Sequence, residues 1–164
     1  MVSQPETFRE TLPIEEGGFL APSEVRSILK SAHLRPTRQR VELGTLIFRR
    51  KHWHLTPDEL HALASRAGFC VSLATVYNTL NQFAQAGLIR RVATQGSDRA
   101  YFDTDMSDHQ HFCVEDEGRV WDAPKDSVQL GALPEPPDGY RIANVDVVIR
   151  LARIPKRHLG AVSS

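Results

Sequence analysis

The hydrophobic period of this chain shifts partway along, from helical spacing to the alternation of strands. From Ser23 onward, Val25, Ile28, Leu29 and Ala32 recur at helical spacing and predict a helix with one apolar face. Pro36 interrupts residues 33–37, because the residue before a proline avoids helical backbone. A second helix is predicted over residues 37–51, with Val41, Ile47 and Phe48 turned inward. Thr56-Pro57-Asp58-Glu59 then combines an N-cap hydroxyl, a proline where no N–H is required, and a glutamate placed to close a capping box. Leu60, Leu63, Ala64 and Ala67 make that third helix's stripe, and Gly68 stops it. Ser72 caps a fourth helix, ended by Gly87, whose core face reads Leu73, Val76, Leu80 and Phe83. Two short helices across a tight glycine-containing turn form the pattern of a helix-turn-helix.

Past Gly87 the pattern becomes that of strands. Residues 88–92 and 99–102 flank Gln95-Gly96-Ser97-Asp98, a turn-forming cluster, and predict a hairpin that serves as a wing. Residues 104–108 read as a connector. Strands are expected at residues 111–114, 119–121 and 145–151, a short helix over residues 126–133, and a stiff loop at Pro134, Pro136 and Pro137. The resulting fold class is α+β, an N-terminal winged helix-turn-helix domain followed by a small α/β dimerisation domain. The expected divisions are an acidic arm at residues 1–21, the winged helix at 22–103 and the second domain at 104–164.

Charge sharpens this division. The formal net charge is zero, yet residues 22–96 carry eleven Lys/Arg against four acids, while residues 97–164 carry eight against twelve. A basic segment within a neutral chain is the electrostatic footprint expected of a polyanion-binding domain. The first twenty residues hold Glu6, Glu10, Glu15 and Glu16 and no apolar run, so neither a signal peptide nor a membrane anchor is expected. With only Cys70 and Cys113, widely separated, the thiols are expected to be free in a reducing, cytoplasmic setting.

Burying the apolar face of the fourth helix turns Ser72, Thr75, Asn78 and Gln82 outward, with Tyr77 at the margin. These short polar groups can reach base edges in a major groove. Arg35, Arg38, Arg40, Arg49, Arg50 and Lys51 would add phosphate attraction. Arg35, preceding Pro36, has the placement of a loop arginine that enters a minor groove. In the acidic half, Asp108-His109-Gln110-His111 sets two imidazoles on one face of an extended segment. With Asp103 and Asp122 as carboxylate partners, such a set suits iron, zinc or manganese. His33, His52, His61 and His158 read as ordinary surface or core histidines.

Ala32-His33-Leu34-Arg35-Pro36-Thr37-Arg38-Gln39-Arg40 and Ser72-Leu73-Ala74-Thr75-Val76-Tyr77-Asn78-Thr79-Leu80 resemble the ferric uptake regulator (Fur) superfamily. The runs Leu133-Pro134-Glu135-Pro136-Pro137-Asp138-Gly139 and Val145-Asp146-Val147-Val148-Ile149-Arg150-Leu151 are similar to its iron response regulator (Irr) branch. The resemblance covers about residues 23–154. It implies a homodimer on double-stranded operator DNA, with Arg35 in the minor groove, Tyr77 on bases and Arg40 on phosphate. Asn78 stands where many members carry a basic residue. The regulatory metal site implied is His54, Asp103, His109, His111 and Asp122, holding Fe(II), Mn(II) or Zn(II).

Departures from the family pattern narrow the expectation. Val114 and Glu117 occupy the positions of one CxxC pair, so no CxxC structural zinc is expected. Asp108, Gln110, Gln129 and Val145 stand where a second family site would carry His, Asp, Glu and His. The Irr likeness adds haem as an alternative ligand at His109 and His111, although neither cysteine precedes a proline. The readings to be weighed are an iron-responsive repressor, a Fur-type sensor of manganese, zinc or peroxide, and a non-haem iron enzyme.

Overall fold

The computed structural model describes residues 18–154, apart from residues 51, 93, 95–98, 108, 115–116, 125–126 and 144. Four helices come first: α1 (Pro22–Ser31), α2 (Arg38–Ile47), α3 (Pro57–Arg66) and α4 (Leu73–Gln85). Six short strands accompany and follow them: β1 (His54–Leu55), β2 (Arg90–Val92), β3 (Tyr101–Asp103), β4 (His111–Val114), β5 (Arg119–Asp122) and β6 (Val148–Arg150). They form two sheets, ordered β1-β3-β2 and β5-β4-β6. All pairs are antiparallel except β4 with β6, which run parallel. No described helix is long and apolar enough to cross a membrane.

Local chemistry explains the helix starts. On α3 the Glu59 N–H donates to Thr56 Oγ1 at 3.2 Å and the Thr56 N–H to Glu59 Oε2 at 2.7 Å, so two otherwise orphaned donors are satisfied reciprocally. On α4 the Thr75 N–H donates to Ser72 Oγ at 3.1 Å. Gly68 and Gly87 close α3 and α4 with φ of +78° and +71°, a backbone that side-chain-bearing residues resist. The four helices and the first sheet share one core that includes Leu29, Leu46, Leu60, Leu80, Phe83 and Phe102. Each such fully buried side chain contributes about 1.5–3 kcal/mol.

Several expectations need correction. The second helix ends at Ile47 rather than at residue 51, because the chain must become extended at His54 to pair with β3. His52 makes that reversal with φ of +55°. Lys51 itself lies outside the described residues. Leu73, expected in the core, is 41% exposed, whereas Thr79 is buried. Leu73 opens α4 before the helix dips under its neighbours, so the buried stripe begins one turn later, at Val76.

Residues 127–133 contain no helix, and Asp126 lies outside the described residues. Gly131 lowers helix propensity there, and Leu130 and Leu133 stay exposed, leaving no apolar face to drive folding. Within the described part of residues 104–154 the second unit is therefore a sheet with long connections and no α-helix. The last strand spans three residues of the seven expected. The arm at residues 1–17 and the hairpin tip Gln95-Gly96-Ser97-Asp98 lie outside the described residues, as does Asp108.

Candidate metal centre and nucleic-acid interface

Strand register builds the metal centre. His54 on β1 stands opposite Asp103 on β3, and His111 on β4 stands opposite Asp122 on β5. His109 enters from the segment just before β4. One ligand atom from each of these five side chains lies within 4.8 Å of all the others. These are the five positions that the sequence marks, drawn from both sheets. Asp103 is fully buried, and the side chains of His54, His109 and His111 are 8%, 2% and 6% exposed.

The atoms converge without satisfying one another. His109 Nε2 lies 2.9 Å from both Asp103 Oδ2 and Asp122 Oδ1, and His54 Nε2 lies 3.1 Å from Asp122 Oδ1. Even so, His54 Nε2, His109 Nε2 and Asp122 Oδ1 are buried and make no hydrogen bond. Unsatisfied buried polar atoms are costly, so three of them facing one point need a partner there. His111 Nε2 does bond Asp103 Oδ2, at 3.2 Å. The Ser107 carbonyl lies 2.8 Å from His109 Nδ1, and since a carbonyl only accepts, Nδ1 donates to it, so that in the neutral ring the Nε2 lone pair faces the cluster.

Electrostatics prepares the same set. Burial pushes the His54 imidazole below its ordinary pKa; Asp103 and Asp122 oppose that shift, while His111 and His109 reinforce it. Burial alone would raise the Asp103 carboxyl. The His111 hydrogen bond, the Asp105 N–H and the nearby His54 and His109 outweigh it and hold the group below its usual value. A neutral imidazole and an ionised carboxylate are the forms that bind a cation. Three nitrogens and two carboxylates fit Fe(II), Mn(II) or Zn(II).

A haem at His109 and His111 fits this arrangement less well. The two rings are 4.5 Å apart, and His54 stands 5.1 Å from His111, edge to face. Rings this close, with His109 and His111 side chains only 2% and 6% exposed, suit a small ion better than a macrocycle.

The helix-turn-helix presents Ser72, Tyr77 and Asn78 on the exposed side of α4, with Thr75 half-buried and its hydroxyl 2.9 Å from that of Ser72. Arg35 is exposed in the loop between α1 and α2. Arg40 does more than offer a charge. Its Nε donates to Gln82 Oε1 on α4 at 3.0 Å and its Nη1 to the Arg35 carbonyl at 2.8 Å, so one guanidinium braces the loop against the recognition helix. A depression of about 230 Å³ lies beside it, lined by Thr37, Gln39, Thr75, Asn78 and Gln82.

The other basic residues divide. Arg38 pairs with Glu42 at 2.7 Å, and Arg49 is exposed. Arg50 lies over the Trp53 ring at 4.6 Å, and burial lowers its pKa. Sequence reasoning missed the Arg40 brace and the strand that carries His54. It also set aside His52, which lies beside Asp105 and Asp122.

The model of the "Ferric uptake regulator family" matches residues 31–149. The "Ferric uptake regulation protein" of Klebsiella pneumoniae is 30% identical over 102 residues, covering 62% of this chain and 66% of that protein. The protein of the same name from Pseudomonas aeruginosa is 32% identical over 94 residues, covering 57% of this chain and 70% of that protein. The chain thus spans about two thirds of the length of these relatives. Among solved structures, the ferric uptake regulator from Pseudomonas aeruginosa with manganese superposes with a TM-score of 0.59 at 26% identity, covering 79% of this chain and 97% of that one. The Vibrio cholerae ferric uptake regulator shares the fold, with a TM-score of 0.57 at 24% identity over 76% of this chain and 96% of that one. With most of its length matched, the chain belongs to the ferric uptake regulator family, a family of transcription regulators and not of enzymes.

Proposed function

We propose that this chain is an iron-responsive transcriptional regulator that binds operator DNA as a cytoplasmic homodimer. A divalent ion on His54, Asp103, His109, His111 and Asp122 sets its DNA affinity. The carrying observation is the convergence of five ligand atoms with three buried, unpartnered polar atoms among them. In this reading residues 22–103 read DNA and residues 104–164 join the two copies. Arg35 enters the minor groove, Ser72, Thr75, Tyr77 and Asn78 face the major groove, and Arg40 holds phosphate. Support for the dimer comes from the second half, where Leu130, Leu133, Tyr140, Ile142 and Val145 are each more than 40% exposed. Exposed apolar side chains in such number are what a second copy would cover, and two copies would place two recognition helices on an inverted repeat.

Within the family, the likeness of residues 133–139 and 145–151 to the Irr branch favours control of iron and haem genes. The burial of His109 and His111 favours a metal ion over haem as the direct ligand. The test measures affinity for a duplex selected from a random pool, in the presence of chelator, Mn(II), Fe(II) or haem. At least one metal should change affinity several-fold; equal affinity in all four conditions refutes sensing.

A further inference from the structure

We propose a second, weaker divalent-cation site on His52, Asp105 and Asp122, sharing the Asp122 carboxylate with the centre described above. It rests on that centre for its shared ligand and goes beyond it in residues and stoichiometry. His52 Nδ1 lies 2.8 Å from Asp105 Oδ2 and 3.3 Å from Asp122 Oδ2. The three side chains bring ligand atoms within 4.8 Å of one another.

Asp122 divides its oxygens between the two groups. Its Oδ1 faces His54 and His109, at 3.1 and 2.9 Å, while its Oδ2 faces His52. A carboxylate oriented in this way can bridge two cations. Asp105 is likewise divided: Oδ1 accepts the Ser107 N–H at 2.8 Å, leaving Oδ2 toward His52. The Asp105 N–H in turn donates to Asp103 Oδ1 at 2.8 Å, so a ligand of the first centre positions a ligand of the second.

Charge leads to the same place. Asp103, Asp105 and Asp122 carry three negative charges when ionised, and one divalent ion balances two. A second cation beside Asp105 and Asp122 would offset the third. One imidazole and two carboxylates suit Mn(II) or Fe(II), with water completing the coordination sphere. His52 is 55% exposed, so the site is open and its ion exchanges readily.

The competing account is a simple ion pair in which imidazolium His52 bridges two aspartates, and stoichiometry separates the two. Chelator-stripped full-length protein is titrated calorimetrically with Mn(II) chloride alone. Wild type should take up two ions per chain, a tighter and a weaker one. Asp105→Asn keeps the acceptor for Ser107, and His52→Ala removes a ring that is 55% exposed. Each should lose the weaker event and keep the tighter one within about tenfold. Electron paramagnetic resonance of fully loaded wild type should show a coupled Mn(II) pair, and Asp105→Asn an isolated ion. One ion per wild-type chain, lost in Asp103→Asn but not in Asp105→Asn, overturns the second site and leaves the first standing. Two ions in both surface variants also overturn it. No binding at all overturns both.

Discussion

Metal binding at the five-ligand centre should stabilise the fold by a calculable amount, because the site exists only when two sheets meet. His54 and Asp103 come from the first sheet, and His111 and Asp122 from the second, with His109 beside them. Unfolding scatters all of them except His109 and His111, so the unfolded chain binds far more weakly. At a free Mn(II) concentration of one hundred times Kd, linkage adds about 2.7 kcal/mol to folding. For a chain of this size that raises Tm by about 5–11 °C. Asp103→Asn tests the assignment without changing shape. Asparagine Oδ1 can still accept the Asp105 N–H, which bonds Asp103 Oδ1 at 2.8 Å, but the anionic oxygen facing three histidines is gone. At the same Mn(II) concentration the variant should show less than half the wild-type shift by differential scanning calorimetry. Equal shifts in wild type and variant would show that the ion binds elsewhere.

Three further outcomes follow from other parts of the molecule. Gly44→Ala should destabilise. The added Cβ would meet the fully buried Val25 Cγ1 at 2.6 Å and Phe48 Cε2 at 2.9 Å. Overpacking of about 1–3 kcal/mol outweighs a propensity gain of about 1 kcal/mol, and a higher urea midpoint would refute this. For DNA affinity, Arg40→Ala removes the brace to Gln82 and, with it, the proposed phosphate contact, so the salt slope should fall by about one. Gln82→Ala removes only the brace and should weaken binding by about 0.5–1.5 kcal/mol at unchanged slope; equal slopes in the two variants would merge the roles. The third outcome concerns pH. Because burial depresses His54, the unfolded chain takes up that proton first, and metal-free stability falls as pH drops below about 6.5, levelling off below the folded pKa. His54→Gln should lose less stability than wild type across that window, and an identical loss would assign the effect to other groups.

Legibility in the sequence followed the range of the interactions. The capping box of Thr56 and Glu59 spans a single turn, and its meaning does not depend on the rest of the fold. The His109-x-His111 spacing was equally local. Leu73 was misread because helical periodicity fixes a face but not the point where the helix meets its neighbours. The expected helix over residues 126–133 failed for a related reason: apolar residues were present, but they found nothing to pack against. Asp103 and Asp122 were legible as strand-end carboxylates near the histidine pair, whereas His54 entered through family likeness, since strand register is what brings it to them. His52 had no such help, and a positive-φ turn that aims its ring at two distant aspartates leaves no periodic trace. The basic segment was legible once charge was counted by segment, but the Arg40–Gln82 bond was invisible because it joins two helices.

The position of the centre supplies a route from ion to DNA. His54 lies two residues before the Thr56 cap of α3, and α3 packs on the recognition helix α4. Asp103 ends β3, the central strand of the sheet that carries the wing. An ion held by both therefore fixes the strand leading into the helix-turn-helix and the strand returning from the wing, against His109, His111 and Asp122 on the other side. A ligand shifts only a conformation that it binds better. The relevant two states must accordingly differ in the distance between these strands and the second sheet. Linkage then makes the effect reciprocal: if Mn(II) changes duplex affinity by some factor, the duplex changes Mn(II) affinity by the same factor. Calorimetric Mn(II) titrations with and without a saturating duplex measure that factor independently of the DNA assay. A mismatch between the two would mean that the ion acts on DNA through something other than this centre.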